Sequence, residues 1–125
     1  MITLYYDRGS NSCEKAINWL KMHEIKFIKK HVSKLPKSEL VNMLHLTENG
    51  FDDILKRTSK AGAEVRRAVA QLEKASFEEA VNFILTHTNL LKVPIVINEE
   101  KLLIGYHSEE IRVFLSKEYR NAEVS

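Results

Sequence analysis

Ile2-Thr3-Leu4-Tyr5-Tyr6-Asp7-Arg8-Gly9-Ser10-Asn11-Ser12-Cys13 is the stretch on which the fold of this chain turns. Its first five residues are β-branched, aliphatic or aromatic and read as a central strand. A short polar loop follows, then a helix over about 12–22, with Cys13, Ala16, Ile17 and Leu20 on one face at helical spacing. Asn11 with Glu14 approaches a capping box, and Ser10 is a rival N-cap. A dithiol pair needs an exposed attacking thiolate and a resolving thiol about three residues on, near a helix N-terminus that favours negative charge. Here that spacing is filled by Ser10 and Cys13. A serine hydroxyl is neutral at physiological pH and forms no disulfide, so the frame of a redox site is present and its chemistry is removed.

Working outward, 26–32 reads as a second strand of mixed polarity, so the chain opens β-α-β, a crossover that implies a parallel pair. From 36 to about 91 the pattern is helical, with turns at Asn49-Gly50, Ala61-Gly62 and Lys74-Ala75-Ser76. Leu40, Val41, Leu44 and His45 share one face, as do Val65, Ala68, Val69 and Leu72, and then Ala80, Val81, Ile84 and Leu85. Pro94-Ile95-Val96-Ile97-Asn98, the turn Glu99-Glu100 and Lys101-Leu102-Leu103-Ile104-Gly105 form a β-hairpin. A last helix over 108–115 starts at Ser108 as N-cap. The expected fold class is α/β: a four-stranded mixed sheet, β-α-β then β-β-α, with a helical insertion at about 36–91, all in one domain over 1–125.

A net charge of +2 is too small for avid nucleic-acid binding. Lys29, Lys30, Lys34 and Lys37 are followed closely by Glu39, Glu48, Asp52 and Asp53, the pattern of a solvated surface. One cysteine excludes an intramolecular disulfide. With no basic-then-apolar leader and no run of about 18 apolar residues, the expected location is the reducing cytoplasm, away from membranes. The five histidines lack ligand spacing, so no metal site is expected, and no glycine-rich phosphate loop supports a nucleotide cofactor. The tail after Arg120 is expected to fray.

In this order and spacing the chain resembles the thioredoxin-like arsenate reductase family, and more closely its regulatory branch, the Spx transcription regulators of Gram-positive bacteria. The resemblance is carried by Thr3-Leu4-Tyr5, Ser12-Cys13, Lys15-Ala16, Trp19-Leu20 and His23-Glu24-Ile25 with Phe27. It continues through Leu46-Thr47-Glu48-Asn49-Gly50, Asp53-Ile54, Ser59-Lys60, Leu90-Leu91, Pro94-Ile95, Gly105-Tyr106, and Glu109-Glu110-Ile111-Arg112 with Phe114-Leu115. It implies a stress-response regulator, a monomer that contacts the C-terminal domain of the RNA polymerase α subunit and binds promoter DNA weakly alone. Two family features depart. The leading cysteine is Ser10, and the arginine pair before the proline reads Lys92-Val93, which offers no bidentate donor beside the redox box.

Ser10, Cys13, Val93 and Pro94 are therefore read as a degenerate redox box with no catalytic residue. Ser10 reads as a helix cap rather than a nucleophile, since no recognisable motif places a base beside it. Cys13 reads as core, with a reactive thiol as the alternative. The resemblance implies a cis bond before Pro94. Gly50 reads as a left-handed glycine closing the preceding helix; the resemblance makes Gly50, with Glu48, Asn49 and Phe51, the partner-binding site. Three functions follow: a regulator without a disulfide switch, an arsenate reductase-like thiol oxidoreductase, and a single-thiol sensor through Cys13.

Overall fold

The computed structural model describes residues 1–56 and 62–115. Ala61, Ser59-Lys60 and the tail beyond Leu115 lie outside the described residues. The chain divides into two compact units, Met1–Lys30 with 93–125, and His31–Lys92.

In the first unit β1 (Ile2–Tyr6) leads to α1 (Asn11–Met22) and β2 (Phe27–His31), and the chain returns in β3 (Ile95–Ile97) and β4 (Leu102–Ile104). The sheet is mixed and ordered β2-β1-β3-β4, which makes β1 central. β1 pairs antiparallel with β3, Leu4 opposite Val96, and β3 pairs antiparallel with β4, Val96 opposite Leu103. Side chains alternate across a pleated strand, so Leu4, Val96 and Leu103 form a row on one face. Ala16 and Leu20 of α1, and Ile111 and Phe114 of a closing 3₁₀ turn, cover that row. The i, i+4 and i, i+3 spacings of those pairs put each on one side of its helix. Truncating Leu20, which is fully buried, to alanine would remove about 2–5 kcal/mol.

The ends of α1 are set by local hydrogen bonds. Ser10, not Asn11, is the N-cap, and its Oγ accepts the Cys13 N–H. At the other end the Ile25 N–H reaches the Leu20 carbonyl (3.0 Å) and the Glu24 N–H the Lys21 carbonyl (3.1 Å). That pattern is a Schellman closure, and it forces Glu24 to φ 55° where glycine is usual. The hairpin turn closes through the Asn98 N–H on the Lys101 carbonyl, while Asn98 Oδ1 accepts from Glu100 and Lys101. The closing helix is shorter than expected, a 3₁₀ stretch over Glu110–Phe114 capped by Glu109 rather than Ser108. Lys101 Nζ donates to its Val113 carbonyl at 2.9 Å.

The second unit holds a 3₁₀ turn (Val32–Lys34), α2 (Lys37–Leu46), α3 (Phe51–Ile54), α4 (Ala63–Glu73), α5 (Phe77–Thr86) and a 3₁₀ turn (Thr88–Leu90). Leu40 and Met43 of α2 are buried, as are Ala80, Val81 and Ile84 of α5, and the two helices pack together. Met43 takes the inward place that the sequence pattern assigned to His45, which is exposed. α4 presents Val65, Ala68, Val69 and Leu72 on one face as expected, yet none is fully buried. Leu55 and Leu91 form an isolated antiparallel bridge, with the Lys56 N–H on the Leu90 carbonyl and the Lys92 N–H on the Ile54 carbonyl.

Candidate functional site

The degenerate box lies where β1 hands over to α1. The Ser10 Oγ accepts the Cys13 N–H at 3.2 Å, satisfying one of the donors that a helix start leaves unpaired. Cys13 is a free cysteine, only 2% exposed, on the face of α1 that also buries Ala16 and Leu20. Tyr5 pairs with Ile95, so the register carried one step further sets Tyr6 across from Pro94. The box loop and Pro94 therefore share one end of the β1–β3 pair. The Val93–Pro94 bond is cis, and the Pro94 carbonyl accepts the Gly105 N–H at 2.8 Å. Pro94 is buried and Val93 half-buried. Chemically this end of the sheet holds a hydroxyl used as a cap, a shielded thiol and an aliphatic side chain. No attacking thiolate and no oxyanion-binding guanidinium stand among the four.

Glu48, Asn49, Gly50 and Phe51 form the link between α2 and α3. Gly50 does not close α2, which ends at Leu46 with Thr47 as its C-cap. It is instead the N-cap of α3, at φ 66°, ψ −130°, a backbone conformation that only glycine adopts without strain. A Cβ built on Gly50 meets nothing within 4 Å, so the backbone there is open to an approaching surface.

Two residues that the sequence reading did not assign to this site build the loop. Thr47 Oγ1 donates to the Leu44 carbonyl at 2.8 Å and accepts the Gly50 N–H at 3.0 Å. Asp53 Oδ2 accepts the N–H groups of Asn49 (3.0 Å) and Glu48 (3.2 Å), and its Oδ1 accepts the Asn49 side-chain amide. The Asn49 backbone and side-chain donors, then the Glu48 N–H and the charge of Lys92, hold the Asp53 carboxyl below its ordinary 3.8. The available signal was Gly50-x-x-Asp53, an acid at the third helical position as in a capping box, although its carboxylate reaches past the glycine to the Asn49 and Glu48 amides.

Among the described residues no cluster of three or more His, Cys, Asp or Glu could hold a metal, and no helix is long and apolar enough to cross a membrane.

Comparison with known proteins identifies relatives of the whole chain and of its fold. The Spx global transcriptional regulator of Streptococcus pneumoniae is 36% identical over 126 aligned positions, 99% of this chain and 92% of the relative. That of Streptococcus pyogenes serotype M3 is 34% identical over the same shares. Among solved structures, SACOL0876 of Staphylococcus aureus COL superposes with a TM-score of 0.76 at 17% identity, covering 93% of this chain and all of that one. The arsenate reductase of Vibrio cholerae gives 0.70 at 14% identity, covering 91% and 94%. These two likenesses bear on the fold, which is thioredoxin-like. Residues 5–114 match the ArsC family, and with its nearly full-length similarity to Spx regulators the chain belongs to that family.

Proposed function

We propose that this protein is an Spx-like transcription regulator. It binds the C-terminal domain of the RNA polymerase α subunit through the Glu48–Phe51 loop and works without a Cys-x-x-Cys disulfide switch. The observation that carries this reading is identity of 34–36% to global transcriptional regulators over nearly the whole chain. The open space at Gly50 supports the contact, because the missing side chain lets a partner surface approach the backbone closely. The capping role of Ser10 supports the loss of the switch. The protein acts as a cytoplasmic monomer, and the polymerase supplies most of the DNA affinity.

Arsenate reduction needs a thiolate nucleophile and a cationic grip on the oxyanion. Ser10 and Val93 supply neither, and Cys13 is shielded. Retention of the purified polymerase α polypeptide by the immobilised protein, in reducing and oxidising buffer alike, is the expected result. No retention in either buffer refutes the reading, and retention in only one refutes switch-free action.

A further inference from the structure

The helical unit carries a second feature beside the Asn49–Gly50 loop. α3 and α4 border a cleft of about 270 Å³ whose apolar lining is Phe51, Leu55, Val69 and Leu72. Among the described residues, the charged groups lining it are Asp52 and Glu73. A separate cavity of about 390 Å³ shares Asp52, Leu55, Val69 and Glu73 with it and is also lined by Lys56 and Arg66, neither of which forms an ion pair with the two carboxylates. Phe51 carries the apolar surface outward to Phe77, ring centroids 5.8 Å apart, and Phe77 is 53% exposed. The neighbouring acids are already engaged, Asp53 by the loop and Glu78 by Lys37. Among the described residues no ion pair or side-chain hydrogen bond engages Asp52 or Glu73.

An apolar cleft lined by two unengaged carboxylates is selective about what fills it. A wholly apolar plug would strip water from the carboxylates with no compensation, and an anionic group or a nucleic-acid phosphate would be repelled. A lysine or arginine suits both parts, since its methylene stem lies on apolar surface while its charge stays at the rim. An aromatic face adds attraction for the cation. We infer that this cleft receives a lysine or arginine side chain from the C-terminal domain of polymerase α, its charge meeting Asp52 and Glu73 and with Phe77 as the apolar anchor at the edge. The inference rests on the partner proposed above and adds what that partner must present.

The test is titration calorimetry of the full chain with the purified C-terminal domain of polymerase α at low and high salt. Four variants accompany the wild type: D52N/E73Q, E73K, F77A and M22A. Met22 is 80% exposed and belongs to the other unit, so it serves as the control. D52N/E73Q keeps side-chain shape and is expected to weaken binding about tenfold and flatten its salt dependence. E73K is expected to weaken it further, and F77A by at least about fivefold, the loss typical of an aromatic anchor. M22A is expected to bind as wild type. The altered groups are solvent-facing, and a melting curve for each variant verifies its fold. If the wild type binds and the cleft variants bind equally well, the inference falls and the proposed partner stands. If the wild type does not bind, both fall.

Discussion

Ser10 and Cys13 are joined by a hydrogen bond in which the Cys13 backbone N–H donates to the Ser10 side-chain oxygen, at 3.2 Å. The two positions of a dithiol are thus tied as cap and first turn. Ser10→Ala is expected to lower stability by about 1 kcal/mol, read as a shifted thermal melt. Ser10→Cys is expected to form a disulfide with Cys13 under mild oxidant, seen by intact mass, without arsenate turnover because Val93 still offers no cation. Turnover above the blank in that variant would show that the arginine is dispensable.

The burial of Cys13 makes a kinetic prediction. Alkylation is expected to be slow in native buffer and complete after denaturation, followed by mass spectrometry. Cys13→Ala is expected to leave binding to polymerase α unchanged in oxidised and reduced buffer. Fast native labelling coupled to altered binding would favour the single-thiol sensor.

Gly50 separates backbone cost from partner contact. Any side chain at φ 66° carries about 1–3 kcal/mol of strain, shared by Gly50→Ala and Gly50→Arg. Alanine intrudes little on a partner, whereas arginine fills the open space. The expected result is similar melting for both, with binding to polymerase α kept by alanine and abolished by arginine. Equal binding by both would make this loop structural only.

Glu24 is the one non-glycine among the described residues with positive φ. Its backbone hydrogen bonds need that conformation, which disfavours any residue carrying a Cβ. Glu24→Gly is expected to stabilise the protein by up to about 1 kcal/mol, the relief of strain being partly offset by a more flexible unfolded chain. A lowered melting temperature would contradict this.

The Asp53 carboxyl sits below its ordinary 3.8, so its ionised form is favoured by folding. Its contribution is complete above that value and is lost as pH falls through the lower folded-state value. Acid titration followed by NMR is expected to move the Glu48 and Asn49 amide signals with a midpoint below 3.8. Asp53→Ala should abolish that step and speed hydrogen exchange at both amides.

The sheet was readable because strands and hairpin use period-two patterns with clear turn chemistry at Asn98–Lys101, and the structure keeps that order. Helix boundaries in the second unit were less readable, since Met43 and His45 both fit the α2 pattern and only packing against α5 decides between them. The role of Gly50 was misread for a related reason. An Asn-Gly pair after a helical run suggests closure, but Thr47 ends α2 earlier and its Oγ1 holds the Gly50 N–H, while Asp53 ties the Glu48 and Asn49 amides so that the glycine opens α3. Both determinants are side-chain hydrogen bonds, which periodicity does not encode. Asp52 and Glu73 meet through tertiary placement alone, so no spacing in the sequence joined them.

The Leu55–Leu91 bridge pins together two points far apart along the chain, so what lies between them is a closed excursion whose feet stay put when its contour length changes. For a flexible connection, doubling the length costs only about 0.6 kcal/mol in closure entropy, so added length in the links between these helices is tolerated. Among the described helices of that excursion, α4 has no buried residue, whereas α5 buries Ala80, Val81 and Ile84, so α4 is the more exchangeable of the two. A lineage can therefore rewrite this helix, and with it one wall of the cleft, while the strands inherit no new constraint.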